Sequence, residues 1–275
     1  MNRRALFLII LLLSILCLTG CSCIFDWGKD DKKNEKKKET ANTTAENSLP
    51  IETPTPVVEE PQPTTNGHTI VIDPGHQTKD SSETEPVGPG ASERKQKDTS
   101  GATGVVTGLR EYELTLQVSN KLKEELEKRG YNVILTRTKN EGEISCIERA
   151  EIANNANADV FIRIHANGDE DSSVSGAMTI CQTSSNPYNS NIYAESRRLS
   201  VDVLDEYVSA TGARRERVWE TDSMTGNNWS KVPVTLIEMG YMSNPNEDRL
   251  MASDDYQWKI VNGIANGIDR FISGN

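Results

Sequence analysis

The chain has 275 residues, 26% of them charged, with 41 acidic against 30 basic side chains and a net charge of −11. That length suits one well-buried domain with tails, or two small domains. The acidity excludes nucleic acid as a partner, because phosphate neutralisation needs clustered Lys and Arg.

Residues 1–20 start basic, continue as an apolar run too brief for a membrane span and close on small residues, the pattern of an export signal peptide. "LTGC" resembles a bacterial lipobox, which implies cleavage before Cys21 and a lipid on its sulfur, anchoring the chain to a membrane. The alternative is a simple N-terminal membrane anchor. Both place the remainder outside the cytoplasm.

From Cys21 to Asn66 the chain is rich in Lys, Glu, Thr and Pro, as in "DKKNEKKKE" and "PIETPTPVVEEPQPTT". So little apolar surface cannot offset ordering entropy, and a disordered tether is expected. Of five cysteines, Cys17 leaves with the signal and Cys21 is the lipid site. Cys146 and Cys181 lie in apolar runs and are expected as buried thiols, although export would permit a disulfide.

Residues 67–275 alternate short apolar runs with helical patterns, the signature of one α/β domain with a single mixed sheet flanked by helices on both faces. Strands are expected at "TIVID", "NVILTR", "DVFIRIH", "GAMTICQT" and "VPVTLIE". A helix over 111–129 carries Leu114, Val118, Leu122 and Leu126 on one stripe and stops at Gly130. Further helices fit "ISCIERAEIANNA", residues 191–208, and a segment opening at Ser253 whose Ile260, Val261, Ile264 and Ile268 face inward. Between His76 and Glu111 the polar, turn-rich segment reads as a long loop, which in a compact domain is functional or disordered.

Three apolar strands end alike, "VIDPGH" at His76, "FIRIHANG" at His165 and "VTLIEMG" at Glu238. Ligands of α/β sheets bind at such carboxyl ends. Only three histidines exist, and two hold these positions; His68 does not. Either alone reads more readily as a hydrogen-bonded structural histidine, but the pair points to a metal. In "VIDPGH" the Pro-Gly turn lets the chain change direction at the sheet edge.

A catalytic zinc takes three protein ligands and keeps one position open. Glu111 offers the third donor. It precedes Leu114, Thr115 and Val118 by three, four and seven residues and so shares the inward stripe, whereas Glu113 falls on the solvated face. A carboxylate that merely opened the helix would complement its dipole without that face. Glu238 also needs a task, since burying a lone carboxylate is costly. It could be a fourth ligand, a partner of Arg163 or another arginine, or a general base beside zinc-activated water; the base reading is preferred.

In order and spacing, "VIDPGH", "GLREYELTLQVSNKLKEELEKRGYNVILTRT", "ERAEIANNANAD", "RIHANG" and "LIEMGYMSN" resemble the zinc-dependent N-acetylmuramoyl-L-alanine amidases of the Amidase_3 type, from about His68 to the C-terminus. The resemblance implies Zn2+ held by His76, Glu111 and His165, and Glu238 as the catalytic glutamate. It implies peptidoglycan as substrate, cut between the lactyl group of N-acetylmuramic acid and the L-alanine of the stem peptide. Glu238 would activate the water and then protonate the leaving amine.

Many members have "DPGHGG" and "SIHAN", where this chain has Gln77 and Arg163. Arg163 shares His165's side of an extended strand and would orient Glu238 or a substrate carboxylate, or form a structural ion pair. Asn167 is a candidate substrate contact or a turn residue, and the "TDSMTGNNWSK" loop is a further candidate for positioning substrate. No additional inhibitory helix is evident between His165 and Glu238, and nothing identifies an activating protein. Competing readings are a zinc peptidase cutting stem peptides and a non-catalytic wall-binding lipoprotein.

Overall fold

The computed structural model describes residues 65–274. The expected signal peptide, Cys21 and all but the last two residues of the expected tether lie outside them. Asn66 already belongs to the fold, its N–H donating to the carbonyl of Gly130 at 2.7 Å.

Strand β1 (Thr69–Pro74) is followed by two short strands, β2 (Thr84–Pro86) and β3 (Arg94–Gln96), then helix α1 (Glu111–Lys128) and β4 (Asn132–Leu135). Helix α2 (Cys146–Asn155), β5 (Val160–Asn167) and β6 (Ala177–Cys181) come next. A 3-10 turn leads into α3 (Tyr193–Thr211), then β7 (Arg215–Glu220), the short α4 (Thr225–Asn228) and β8 (Val234–Tyr241). Helices α5 (Pro245–Met251) and α6 (Asp254–Ser273) complete the order.

Six strands form one sheet in the order β4-β1-β5-β8-β6-β7. The first four run parallel, β6 is antiparallel to β8, and β7 is parallel to β6, so the sheet is mixed. Both faces are covered, which is why the central strands read as continuous apolar runs. Ile70, Ile72, Ile162, Ile164 and Ile237 pack under α1, α3 and α6, while Val71, Phe161 and Val234 meet Ala150 and Ala153 of α2 and Trp229 after α4.

The α1 stripe of Leu114, Val118, Leu122 and Leu126 is fully buried, and Gly130 follows the helix at φ 88. Ser145 and Glu148 cap α2 reciprocally, each side chain accepting from the other's backbone N–H. The expected inward face of α6 is fully buried at Ile260, Val261, Ile264 and Ile268.

Three elements depart from expectation. The edge strand β7 carries charges that mask its apolar alternation, and α4 and α5 are too short to show a helical period. The segment after His76 is neither free nor structureless. Its β2-β3 pair is docked by the Trp229 indole N–H on the carbonyl of Pro86 at 3.0 Å and by the Asn228 amide on that of Val87 at 2.9 Å. Cys181 is buried as expected, whereas Cys146, the first residue of α2, is only half-buried, with its sulfur 3.7 Å from the buried Arg163 guanidinium; both are free thiols.

Candidate metal centre

The end of β1 delivers His76. The Gly75 N–H continues the pairing with β5, donating to Ile164 O at 2.9 Å. The change of direction falls on His76 itself, at φ 63, a left-handed conformation that costs a non-glycine residue ~1 kcal/mol. Buried guanidinium groups hold it there. Arg137 donates to the carbonyls of Pro74 and Gly75 at 2.9 and 3.0 Å, and Arg149 to those of Pro74 and His76 at 2.7 and 3.2 Å.

Gly75 is required for space, not for its dihedral freedom. A Cβ there would lie 2.3 Å from the His165 ring. Gly101 is required on both counts, its φ being 74 and a Cβ there falling 2.5 Å from Glu111 Oε2 and 2.8 Å from the His76 ring. The segment after His76 is thus part of the site.

Glu111 opens α1 but is only 3% exposed. Its Oε2 accepts from Ala102 N–H at 2.7 Å, and its Oε1 accepts from Ala166 N–H at 3.0 Å. The Oε1 also lies 3.1 Å from His76 Nε2 and 3.2 Å from His165 Nδ1, and those nitrogens are 3.1 Å apart. These three residues form the only candidate ligand group found among the described residues.

The triangle fits a small cation. Donors placed tetrahedrally at roughly 2.0–2.1 Å from zinc are about 3.3 Å from one another, so the observed spacing needs little adjustment. The outer shell fits too: His76 Nδ1 lies 2.9 Å from the carbonyl of Thr99, which can only accept, so Nδ1 keeps its proton and Nε2 is the nitrogen left to face a cation.

Electrostatics separates the two carboxylates. Burial opposes ionisation of Glu111, but hydrogen bonds and charge from His165 and His76 outweigh it and hold this carboxyl well below the usual range. Glu238 has no such support. Burial, reinforced by the charge of Glu111, pushes it up to about 8 against His76 and Arg163. Its Oε2 is buried without a hydrogen-bond partner, and its backbone stands in register with His165 on the adjacent strand.

The histidines also diverge. Burial disfavours a charged His76, yet Asp98 and Glu111 raise its pKa to about 10. For His165 burial dominates despite Glu111, and with His76 and Arg163 it lowers the pKa to about 4.

Arg163 adopts the ion-pair alternative. It is buried, with Nε donating to Asp73 Oδ2 at 2.9 Å, and it reaches Glu238 only through its charge, which favours the ionised form. Asn167 behaves as a turn residue on one side, its Oδ1 accepting from Gly168 N–H at 2.8 Å, and remains half-buried. The "TDSMTGNNWSK" loop contains α4 and serves to dock the β2-β3 pair.

What the sequence did not disclose is the support behind the three candidate donors. Asp73 takes Thr136, Arg149 and Arg163 at 2.6, 2.7 and 2.9 Å, and Asp98 takes Arg149 at 2.8 Å. Burial alone would raise the pKa of Asp73, but the two guanidinium groups and Thr136 hold it well below the usual carboxylate range. Asp248 of α5, also buried, accepts from the N–H groups of Val106 and Thr107 at 2.6 and 2.8 Å and from the Thr107 hydroxyl at 2.5 Å. It thereby anchors the loop that delivers Glu111. The one available signal was Arg149, which sits beside Ala150 on the inward side of α2.

The Amidase_3 family model, described as N-acetylmuramoyl-L-alanine amidase, matches residues 70–270. The "Uncharacterized protein YqiI" of Bacillus subtilis is 30% identical over 205 residues, covering 74% of this chain and 85% of that protein. The N-acetylmuramoyl-L-alanine amidase LytC of Bacillus subtilis is 29% identical over 201 residues, 73% of this chain but 35% of LytC. Among solved structures, the N-acetylmuramyl-L-alanine amidase Ami1 of Mycobacterium smegmatis shares the fold with a TM-score of 0.69 at 23% identity, over 77% of this chain and all of that one.

Proposed function

This chain belongs to the Amidase_3 family and is a peptidoglycan amidase; from that premise we propose a zinc-dependent enzyme in which His76, Glu111 and His165 hold the ion and Glu238 carries the proton. The bond cut is the amide between N-acetylmuramic acid and L-alanine. The observation that carries the residue assignment is the divergence of two neighbouring carboxylates, Glu111 held ionised among three converging donors and Glu238 held near neutrality with a free oxygen. Environments that push two acids apart mark one as ligand and the other as proton carrier.

Zinc, when bound, supplies a Lewis acid that polarises a carbonyl and makes water nucleophilic near neutral pH. The chain's own groups do the rest. Glu111 is fixed through both oxygens and cannot pivot. Glu238, in register beside His165, accepts a proton from water and returns it to the leaving amine. Asn167, at the end of β5, keeps its amide nitrogen available to a substrate carbonyl. Arg163 holds Asp73, and with it the end of β1, and its charge favours the ionised form of Glu238.

Export, lipidation of Cys21 and a tether over 21–66 belong to the same proposal: a wall amidase acts outside the cytoplasm, and the tether gives an anchored domain reach. Among the described residues no helix is long and apolar enough to cross a membrane. Mass spectrometry of peptidoglycan digested by the zinc-loaded protein tests the reading. Free lactyl ends with released L-alanyl peptides support it. Cuts inside the stem peptide replace it with a zinc peptidase, and no release from several peptidoglycans leaves a wall-binding lipoprotein. Cys21→Ala is expected to move the protein from the membrane to the soluble fraction.

A further inference from the structure

The face of the sheet that bears the proton carrier continues past it. Glu238 stands in register with His165 on one side and with Met178 of β6 on the other. Between β6 and β7 the register shifts, Ala177 pairing with Arg215 and Thr179 with Val218, so Glu216 and Arg217 lie opposite Met178. Trp219 packs against the cluster of Met178, Ile180 and Leu236. Leu236 precedes Glu238 by two residues, so Trp219 and, two residues before it, Arg217 share the face of Glu238.

Arg217 is exposed, and its guanidinium lies 5.4 Å from the centre of the Trp219 ring. Its neighbours are satisfied, Arg214 by Glu216 at 2.7 Å and Arg215 by Asp205 at 3.0 Å. Glu220 of the same strand is taken by Arg197 at 2.9 Å. Among the described residues no carboxylate pairs with Arg217. A second cation borders this face: Lys95 of β3 donates to Ser223 O at 2.7 Å, beside Met224, which packs on the same cluster.

We infer that Arg217, backed by Trp219, is a subsite for a carboxylate of the stem peptide. The inference rests on the function proposed above and names what that site reads beyond the scissile bond. The distance is suitable: β7 is two strand spacings from β8 and three from β5, or ~10–14 Å at ~4.8 Å each. An extended peptide covers that in roughly three or four residues at ~3.4 Å each. The carboxylate is therefore borne by the third or fourth residue of the stem, a side-chain carboxylate of a diamino acid or the chain's own terminus. A guanidinium over an aromatic ring keeps its fork oriented for such a group.

The competing account is that Arg217 only guards an exposed edge strand against pairing with another chain. Calorimetry separates the two. The zinc-loaded Glu238→Gln protein is titrated with muramyl tetrapeptides in which each carboxylate in turn is amidated. Amidation at the third or fourth residue is expected to weaken binding ~10-fold, the scale of one charge-assisted hydrogen bond. Adding Arg217→Ala should equalise the free and amidated peptides, and Arg217→Lys should restore part of the difference. KM values of the active protein should follow the same order. Equal affinity for all peptides, discrimination that survives Arg217→Ala, or self-association of that variant without any change in affinity overturns the inference. If the active protein releases L-alanyl peptides without such discrimination, only this subsite fails. If it releases none, the function proposed above fails.

Discussion

The imidazole of His165 fills the volume that a side chain on Gly75 would need, with a Cβ at 75 falling 2.3 Å from its Cε1. Gly75 directly follows β1, and His165 lies on the neighbouring β5. Gly75→Ala must therefore move the ring or the turn. The expected result is a zinc affinity lower by roughly 10–100-fold, the cost of disturbing a ligand's support, together with a loss of ~1–3 kcal/mol in stability from overpacking. Competition against a chelator measures the first and urea denaturation the second. Unchanged zinc affinity would show that His165 is not a ligand.

Metal binding should depend steeply on pH. In the metal-free site His76 titrates at about 10, so at neutral pH its Nε2 carries a proton that an incoming cation must displace. His165, at about 4, is already neutral, and Glu111 is already ionised. Glu238, at about 8, would lose its proton more readily beside a cation. Affinity should accordingly rise with pH, by at least about tenfold per unit between about 6 and 9, as for any ion that displaces a proton. Calorimetry in buffers of different ionisation enthalpy counts the protons released; an affinity flat across this range excludes the donor set.

Glu238→Gln distinguishes proton carrier from fourth ligand. Glutamine preserves shape but cannot accept the proton, so turnover should fall ~10²–10⁴-fold, the usual worth of a general base. Zinc stoichiometry, read by atomic absorption, should remain at the wild-type level. Loss of zinc in this variant would place Glu238 among the ligands instead.

Asp248 acts on the same site from outside it. Asp248→Ala removes three hydrogen bonds that hold Val106 and Thr107, freeing the loop whose Ala102 anchors Glu111. Zinc affinity should drop and stability should fall by ~1–3 kcal/mol, the worth of hydrogen bonds to a charged acceptor. A variant that unfolds more easily yet binds zinc normally would confine Asp248 to a stability role.

The strands and the converging donors were legible because their signals are local. "TIVID" and "DVFIRIH" are apolar throughout, as strands covered on both faces must be, and His76, His165 and Glu238 are conspicuous for ending such runs. Glu111 was betrayed by its position on the stripe of Leu114 and Val118. The remainder depends on partners distant in sequence. The segment containing β2 and β3 owes its order to Trp229 and Asn228, more than a hundred residues away. Asp73, Asp98 and Arg149 read individually as ordinary charges, and only the fold shows that they neutralise one another in the interior. Arg163 was left open for the same reason: its place beside His165 and an ion pair were readable as alternatives, but the partner, Asp73 of the adjacent strand, was not.

Arg149 tests how much of the site's geometry depends on that buried network. It spans both carboxylates, Asp73 at 2.7 Å and Asp98 at 2.8 Å, and holds the carbonyls of Pro74 and His76. Arg149→Met keeps much of the side-chain volume but leaves Asp98 without its guanidinium and Asp73 with Arg163 alone. Removing one partner from a buried ion pair typically costs ~3–5 kcal/mol, and that is the loss expected in urea denaturation. The left-handed backbone of His76 also loses a tie, so zinc affinity should weaken together with stability. Arg149→Lys supplies the charge without the fork and cannot reach two carboxylates and two carbonyls together, so it should recover only part of both. A loss below ~1 kcal/mol in the Met variant would mean that Arg137 and Arg163 suffice to hold the end of β1, and that the network is redundant rather than structural.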